Sequence, residues 1–273
     1  MPMQALFFDL DGTLLTSAKT IQASTRDALM ACRNRGVKVF FATARSPRLD
    51  KMLGWTAQDF ALFDGGIYCN GACEQCGDET RYAFIEPEAV RACLQETARF
   101  EGVHLSLHMA REVHAFNFKL PDDMLAPWGL KREEIAVIDE KAIQSATKIL
   151  IFYQSLVDNT RPLPEVLLER IKARCGDLAK VYLTDQGCTI QVVSREAGKA
   201  IAIERVRERM GLSAAQVAVF GDDVNDVEML SLYPSSVAMG NGAPEAKAAA
   251  AYITRSNDED GIAFALRELL HIL

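Results

Sequence analysis

Short, uninterrupted apolar runs alternate with amphipathic stretches at both ends of the chain, and the rhythm changes in the middle. Ala5-Leu6-Phe7-Phe8 is apolar throughout and is followed by Asp9-Leu10-Asp11-Gly12-Thr13, which predicts a buried strand closed by a turn. Thr20–Arg35 carries helical spacing (Ile21, Ala28, Leu29, Cys32) with Gly36 as its stop. Val37–Ala42 predicts a strand buried on both faces. Ser46 as N-cap with Pro47 at the first helical position predicts the next helix, and Phe60–Phe63 the next strand. From Gly198 the same rhythm returns. Lys199–Met210, Asp226–Tyr233, Pro244–Ala251 and Gly261–Leu270 read as helices, and Val217–Phe220, Ser236–Met239 and Tyr252–Thr254 as strands.

Between these two stretches the apolar runs Tyr82–Ile85, Val103–Met109, Val113–Phe118, Ile149–Tyr153, Val181–Thr184 and Thr189–Val193 read as strands, several of them adjacent in hairpin style. Helices are expected at Pro87–Phe100 and Pro164–Cys175. Strand–helix alternation builds a parallel sheet, whereas adjacent strands with two helices build a mainly antiparallel one. The expected architecture is therefore α/β. A doubly wound, Rossmann-like core of residues 1–80 and 195–273 carries an inserted α+β domain at 81–194.

Bulk composition narrows the function classes. The chain has 273 residues, 49% hydrophobic and 25% charged, an ordinary globular balance. A formal charge of −7 argues against a general nucleic-acid binder, which needs a basic face. The opening apolar run is cut by Asp9 and Asp11 and is too short for the core of a secretion signal, and no apolar stretch is long enough for a bilayer. Seven cysteines, an odd number spread over both halves, fit reduced thiols. A cytoplasmic protein with no membrane partner is expected. Cys69, Cys73 and Cys76 lack a fourth ligand at a usual zinc spacing and read as part of a hairpin.

Candidate chemistry gathers where polar residues leave the core strands, because open parallel sheets place their sites outside the carboxyl ends of their strands. Asp9 and Asp11, Thr43, Lys199 at the head of its helix, and Gly221-Asp222-Asp223-Val224-Asn225-Asp226 all fall there. One carboxylate can act as nucleophile and its neighbour can move a proton. Several carboxylates would repel an anionic substrate. A unit charge pair about 4 Å apart costs roughly 4 kcal/mol at an effective dielectric near 20. A divalent cation with a preference for oxygen ligands, Mg²⁺, answers that repulsion. Crowded negative charge is expected to raise one carboxyl's pKa and keep Asp11 protonated. In the middle domain, His108, His114, Asn117, Lys119 and Tyr153 lie on strands where alternate residues face outward, so they read as surface positions rather than ligand contacts.

These residues resemble the haloacid dehalogenase-like phosphatase superfamily, which pairs Asp-x-Asp-Gly-Thr with a Thr/Ser, a Lys and a distal Gly-Asp-x-x-Asn-Asp. Ala238-Met239-Gly240-Asn241, Glu245-Ala246-Lys247 and Ser256-Asn257-Asp258-Glu259-Asp260-Gly261 look like its Cof-type branch. The insertion between Thr43 and Lys199 looks like the type-2 cap of subclass IIB. The resemblance implies a phosphatase of small phosphorylated metabolites such as sugar phosphates, pyridoxal phosphate or FMN. In that reading Asp9 is the nucleophile and forms an aspartyl-phosphate, with Asp11 as general acid and base. Leu10 (through its backbone), Thr43, Ala44, Asn225 and Lys199 hold the phosphate. Asp9, Asp222 and the backbone carbonyl of Asp11 hold Mg²⁺, with Asp223 and Asp226 behind them. Ala44 stands where the branch usually has Gly, and Arg195-Glu196-Ala197 replaces the familiar lead-in to Lys199. A phosphomutase using the same intermediate, and a phosphoryl-receiver or ligand-binding module without turnover, are the alternative readings.

Overall fold

The computed structural model describes residues 2–126, 128–153 and 161–273. Strand β1 (Ala5–Phe8) leads into helix α1 (Ala23–Asn34), strand β2 (Lys38–Ala42) and the short helices α2 (Leu49–Leu53) and α3 (Ala57–Phe60). Strands β3 (Gly65–Tyr68), β4 (Cys73–Cys76) and β5 (Glu79–Tyr82) follow. Then come α4 (Pro87–Thr97), β6 (Val103–Met109), β7 (His114–Phe116) and β8 (Ile135–Ala136). Next are α5 (Glu140–Gln144), β9 (Ala146–Tyr153), α6 (Glu165–Cys175), β10 (Ala179–Thr184) and β11 (Thr189–Ser194). The last stretch is α7 (Lys199–Arg209), β12 (Val217–Gly221), α8 (Val227–Leu232), β13 (Ser235–Ala238), α9 (Pro244–Ala249), β14 (Tyr252–Ile253) and α10 (Gly261–Phe264). The chain divides into two compact units, Met1–Arg81 with Gly198–Leu273, and Tyr82–Ala197.

The first unit is a doubly wound sheet in the order β14-β13-β12-β1-β2-β3-β4-β5. β1 pairs in parallel with both β12 and β2, so Phe8 lies opposite Phe220 on one side and Phe41 on the other. Every β1 side chain is fully buried. Phe7 stacks on Phe40 at 4.8 Å and Phe8 on Phe220 at 4.5 Å. A strand packed on both faces has no position for a charge until it ends. Asp9 is that first position, and the parallel register brings the carboxyl ends of β1, β2 and β12 to one edge.

Three local expectations are corrected. Phe60–Phe63 is not a strand. Thr56 and Asp59 form a capping box that starts α3, and Phe60 and Phe63 turn their rings onto Trp55. The strand forms later, through Gly65 and Gly66, where close packing leaves no room for a side chain. A Cβ at Gly66 would lie 2.2 Å from the Phe41 ring. The helix expected from Ser46 and Pro47 begins instead at Leu49, with Arg48 at its N-cap. Arg45 is held through its carbonyl by the Cys69 N–H (2.8 Å) and through its side chain by Asp11, so the segment stays a loop. Tyr82–Ile85 is likewise displaced, because pairing ends with β5 at Tyr82.

The second unit has its sheet in the order β10-β11-β9-β6-β7-β8, antiparallel except for β7 with β8. Helices α4 and α6 bury Ala89, Val90, Cys93, Leu167 and Ile171 against Leu105, Ile149, Ile151 and Ile190. Buried Glu96 on α4 binds Arg170 (2.5 Å) and Arg174 (2.9 Å) of α6. The rings of His108 and His114 lie 4.4 Å apart, the Asn117 amide oxygen accepts the Leu105 N–H, and Arg161 covers the Tyr153 ring at 4.0 Å. These contacts give the four positions, His108, His114, Asn117 and Tyr153, structural roles. Among the described residues, no helix is long and apolar enough to cross a membrane.

Candidate active site

Asp9, one residue beyond β1, and Asp222, one beyond β12, meet at the carboxyl edge of the first unit's sheet. Oxygen atoms of Asp9, Asp222 and Asp226 lie within 4.8 Å of one another. Lys199, the first residue of α7, puts its ammonium into this group with 1% of its side chain exposed. It donates to Asp9 Oδ1 and, at 2.7 Å, to Asp226 Oδ1. The other oxygen of Asp226 accepts the N–H groups of Asp222 (3.0 Å) and Asp223 (3.2 Å). Asp226 thus spends both oxygens on the protein, orienting Lys199 and the turn that carries Asp222. Gly221 is small because a Cβ there would meet Asp226 Cβ at 2.5 Å.

One ammonium shared among three carboxylates leaves the cluster short of positive charge. Burial above all, then the charges of Asp226 and Asp222, push the Asp9 carboxyl well above its usual range against the pull of Lys199. Burial, then the charge of Asp226, raises Asp222 to about 6 against the hydroxyl bond from Thr13. Burial alone would favour loss of the Lys199 proton, but Asp9 and Asp226 outweigh it and hold the ammonium charged.

Asp11 lies in different surroundings and behaves in the opposite way to expectation. Arg45 donates from Nε to Oδ2 (2.6 Å) and from Nη2 to Oδ1 (2.7 Å), and Lys19 Nζ donates to Oδ1 (2.7 Å). Burial would raise its pKa, but these hydrogen bonds and charges outweigh that and hold it below the ordinary carboxylate range. The carboxyls that burial, with neighbouring negative charge, pushes up are Asp9 and Asp222. The expectation that Asp11 is the raised one fails because the two cations face it.

The turn after β1 is fixed from several sides. Gly12 has φ +81, and a Cβ there would lie 2.2 Å from Asp222 Oδ2, so conformation and close approach both require glycine. The Thr13 hydroxyl donates to Asp222 Oδ1 at 2.7 Å. Asn241 Nδ2 donates to the Gly12 carbonyl and Asn257 Nδ2 to the Leu15 carbonyl, both at 2.8 Å. The Asn257 N–H donates to Asn241 Oδ1 at 2.9 Å. These two distal asparagines therefore serve the turn that carries the aspartates.

Of the phosphate-site candidates, Thr43 is buried at the end of β2, and its hydroxyl accepts the Arg45 N–H at 3.1 Å. Ala44 is exposed and lies outside the left-handed region, so its backbone conformation does not require glycine. Leu10 is fully buried, and its carbonyl accepts the Leu15 N–H at 2.8 Å. Asn225 is exposed, and its amide donates to Asn70 Oδ1 at 3.2 Å. Asn70 has φ +52, and its own N–H is bonded to the Thr43 carbonyl at 2.9 Å. Asp223 is exposed and caps the Val224 N–H at 2.7 Å, so only Asp226 of that flanking pair joins the cluster. Sequence reading missed Lys19, Arg45, Thr13 and Asn70. Of these, Arg45 and Thr13 adjoin residues it had placed in the site, whereas Asn70 adjoins only Cys69, which it read as part of a hairpin.

The donor set suits a hard divalent cation. Asp9 and Asp222 each commit one oxygen to the protein, Asp9 to Lys199 and Asp222 to Thr13. The three carboxylates still gather within 4.8 Å of one another, and a dication would fill their charge deficit.

Comparison with known proteins places the chain in a family. The family model for haloacid dehalogenase-like hydrolases matches residues 6–266. YkrA of Bacillus subtilis is 29% identical over 273 residues, 98% of each chain. The 5-amino-6-(5-phospho-D-ribitylamino)uracil phosphatase YitU of the same organism is 27% identical over 95% of each chain. Among solved structures, the HAD subclass IIB sugar phosphatase BT4131 superposes with a TM-score of 0.76 at 26% identity, covering 99% of this chain and 100% of that one.

Proposed function

Because the chain belongs to the haloacid dehalogenase-like hydrolases and is a phosphatase of that family, we propose that it hydrolyses small phosphorylated metabolites with Mg²⁺, through an aspartyl-phosphate on Asp9. The observation that carries the reading is the buried Lys199 ammonium between Asp9 and Asp226, with Asp222 across the same edge. A nucleophilic carboxylate is thereby fixed in direction, beside a charge that can accept a phosphoryl oxygen.

Asp9 attacks phosphorus with the oxygen not held by Lys199. Lys199, the Thr43 hydroxyl, the Asn225 amide and the Leu10 backbone hold the phosphoryl oxygens as charge builds on them. Asp11, kept ionised by Arg45 and Lys19 until they release it, takes up a proton from solvent, gives it to the leaving oxygen, and then takes one from the water that cleaves the intermediate. Mg²⁺ held by Asp9, Asp222 and the Asp11 carbonyl would supply the positive charge that lets a phosphate dianion approach these carboxylates. The inserted unit, Tyr82–Ala197, is assigned the choice of alcohol, as the type-2 cap resemblance implies. Phosphate release from a panel of esters with Mg²⁺, run beside Asp9→Asn, tests the reading. Release that persists unchanged in Asp9→Asn would overturn it.

The charge deficit also sets a pH dependence. Asp222 titrates near 6 in the folded protein, against about 3.9 in an unfolded chain. Over that interval the folded state binds more protons, so the stability of the metal-free protein falls as pH rises through it. Mg²⁺ binds the ionised form and reverses this loss. The rise in melting temperature on adding Mg²⁺ is therefore expected to be larger at about pH 7.5 than at about pH 5. An equal rise at both would contradict the assignment of Asp222 as a ligand.

A further inference from the structure

Positive charge in this site is divided unevenly. Asp9, Asp222 and Asp226 share one lysine, whereas Asp11 alone receives Arg45 and Lys19. Three charge-assisted hydrogen bonds occupy both Asp11 oxygens, and two cations oppose one carboxylate. The Arg45 side chain is 20% exposed, so its guanidinium is largely withdrawn from water. Lys19 is held in place by its turn. Its backbone has φ +60, its N–H is bonded to the Thr16 carbonyl at 2.8 Å, and the Ser17 N–H is bonded to Asp258 at 2.8 Å.

For Asp11 to reach a leaving oxygen it must release part of this grip. A planar guanidinium that loses a two-point acceptor in a half-buried place is left with donors unpaired, which is costly. A carboxylate or phosphate on the substrate matches the same fork. A neutral polyol matches it poorly. We propose that Arg45 and Lys19 form an anion subsite for the leaving group, so that the preferred substrates are phosphate esters whose alcohol carries a carboxylate or a second phosphate. The proposal rests on the phosphatase reading for its biological sense, but the subsite can be measured without turnover.

The test is equilibrium binding, by calorimetry with Mg²⁺ present, to the Asp9→Asn protein. Phosphoglycerate is compared with glycerol phosphate, which differ in a carboxylate against a hydroxymethyl group. A hexose bisphosphate compared with its monophosphate separates phosphate from carboxylate as the recognised anion. The more anionic member of at least one pair is expected to bind about 10-fold tighter or more, the scale of one good charge-assisted contact. Adding Lys19→Met, on an exposed turn that tolerates the change, or Arg45→Met should bring that ratio to about threefold or less. A ratio near one in the parent, no binding of any of the four esters, or a ratio untouched by both substitutions overturns the subsite. Phosphate release by the unsubstituted enzyme is read separately. A protein that shows the binding preference yet cleaves no ester sinks the phosphatase reading and leaves the subsite standing.

Discussion

Lys199→Met is expected to lower unfolding free energy by about 3–5 kcal/mol, the scale for breaking a buried ion pair from one side. The Lys199 side chain is 1% exposed, and its ammonium is bound to both Asp9 and Asp226. Removing it leaves two carboxylates out of water, next to Asp222, with no cation among them. Urea denaturation measures the loss. Mg²⁺ should return part of it, because a dication would supply positive charge to the same carboxylates. Lys199→Arg should not rescue the protein, since a planar fork cannot occupy the place of a compact ammonium. A Lys199→Met protein as stable as the parent would mean that the ammonium is solvated and the cluster is not organised around it.

Asp9→Asn is expected to do the reverse, removing activity and sparing the fold. An amide oxygen is a poor nucleophile toward phosphorus, so kcat should fall about 10⁴-fold or more. Burial and neighbouring charge already disfavour the ionised form of Asp9. Asparagine removes that charge and keeps an oxygen for Lys199, so the melting temperature should hold or rise. Function here is maintained at some cost in stability, as is common at active sites. A variant that loses activity only because it unfolds would show a lowered melting temperature and would contradict this separation.

Much of the core was legible because burial on both faces forces a simple pattern. Ala5–Phe8, closed at once by the Gly12-Thr13 turn, reads as an inner strand, and Asp9 is the first place where the chain can carry a charge. Asp222 is legible for the same reason at the end of Val217–Gly221. The aromatic run Phe60–Phe63 misled because hydrophobicity over four residues does not separate strand from helix, although Thr56 and Asp59 carry the capping signal. The surroundings of Asp11 were not legible at all. Its partners lie 8 and 34 residues away in sequence, and charge counting gives the sum of charges but not which carboxylate each cation faces. Sequence therefore located the raised pKa in the right cluster and on the wrong residue. Asn241 and Asn257 were visible as matches to a family pattern, but their work, tying down the Gly12 and Leu15 carbonyls, follows only from the folded contacts.

The central claim is that Asp9 takes the phosphoryl group before water does. Asp11→Asn should let an activated ester such as p-nitrophenyl phosphate react, because its leaving group needs no proton, and should stall the water attack that follows. Rapid acid quenching and peptide mass spectrometry should then find one phosphoryl group per chain on the peptide containing Asp9, appearing as fast as the initial burst of nitrophenol. A burst with no phosphoryl group on Asp9, or steady release with no burst and no labelled peptide, would contradict the account.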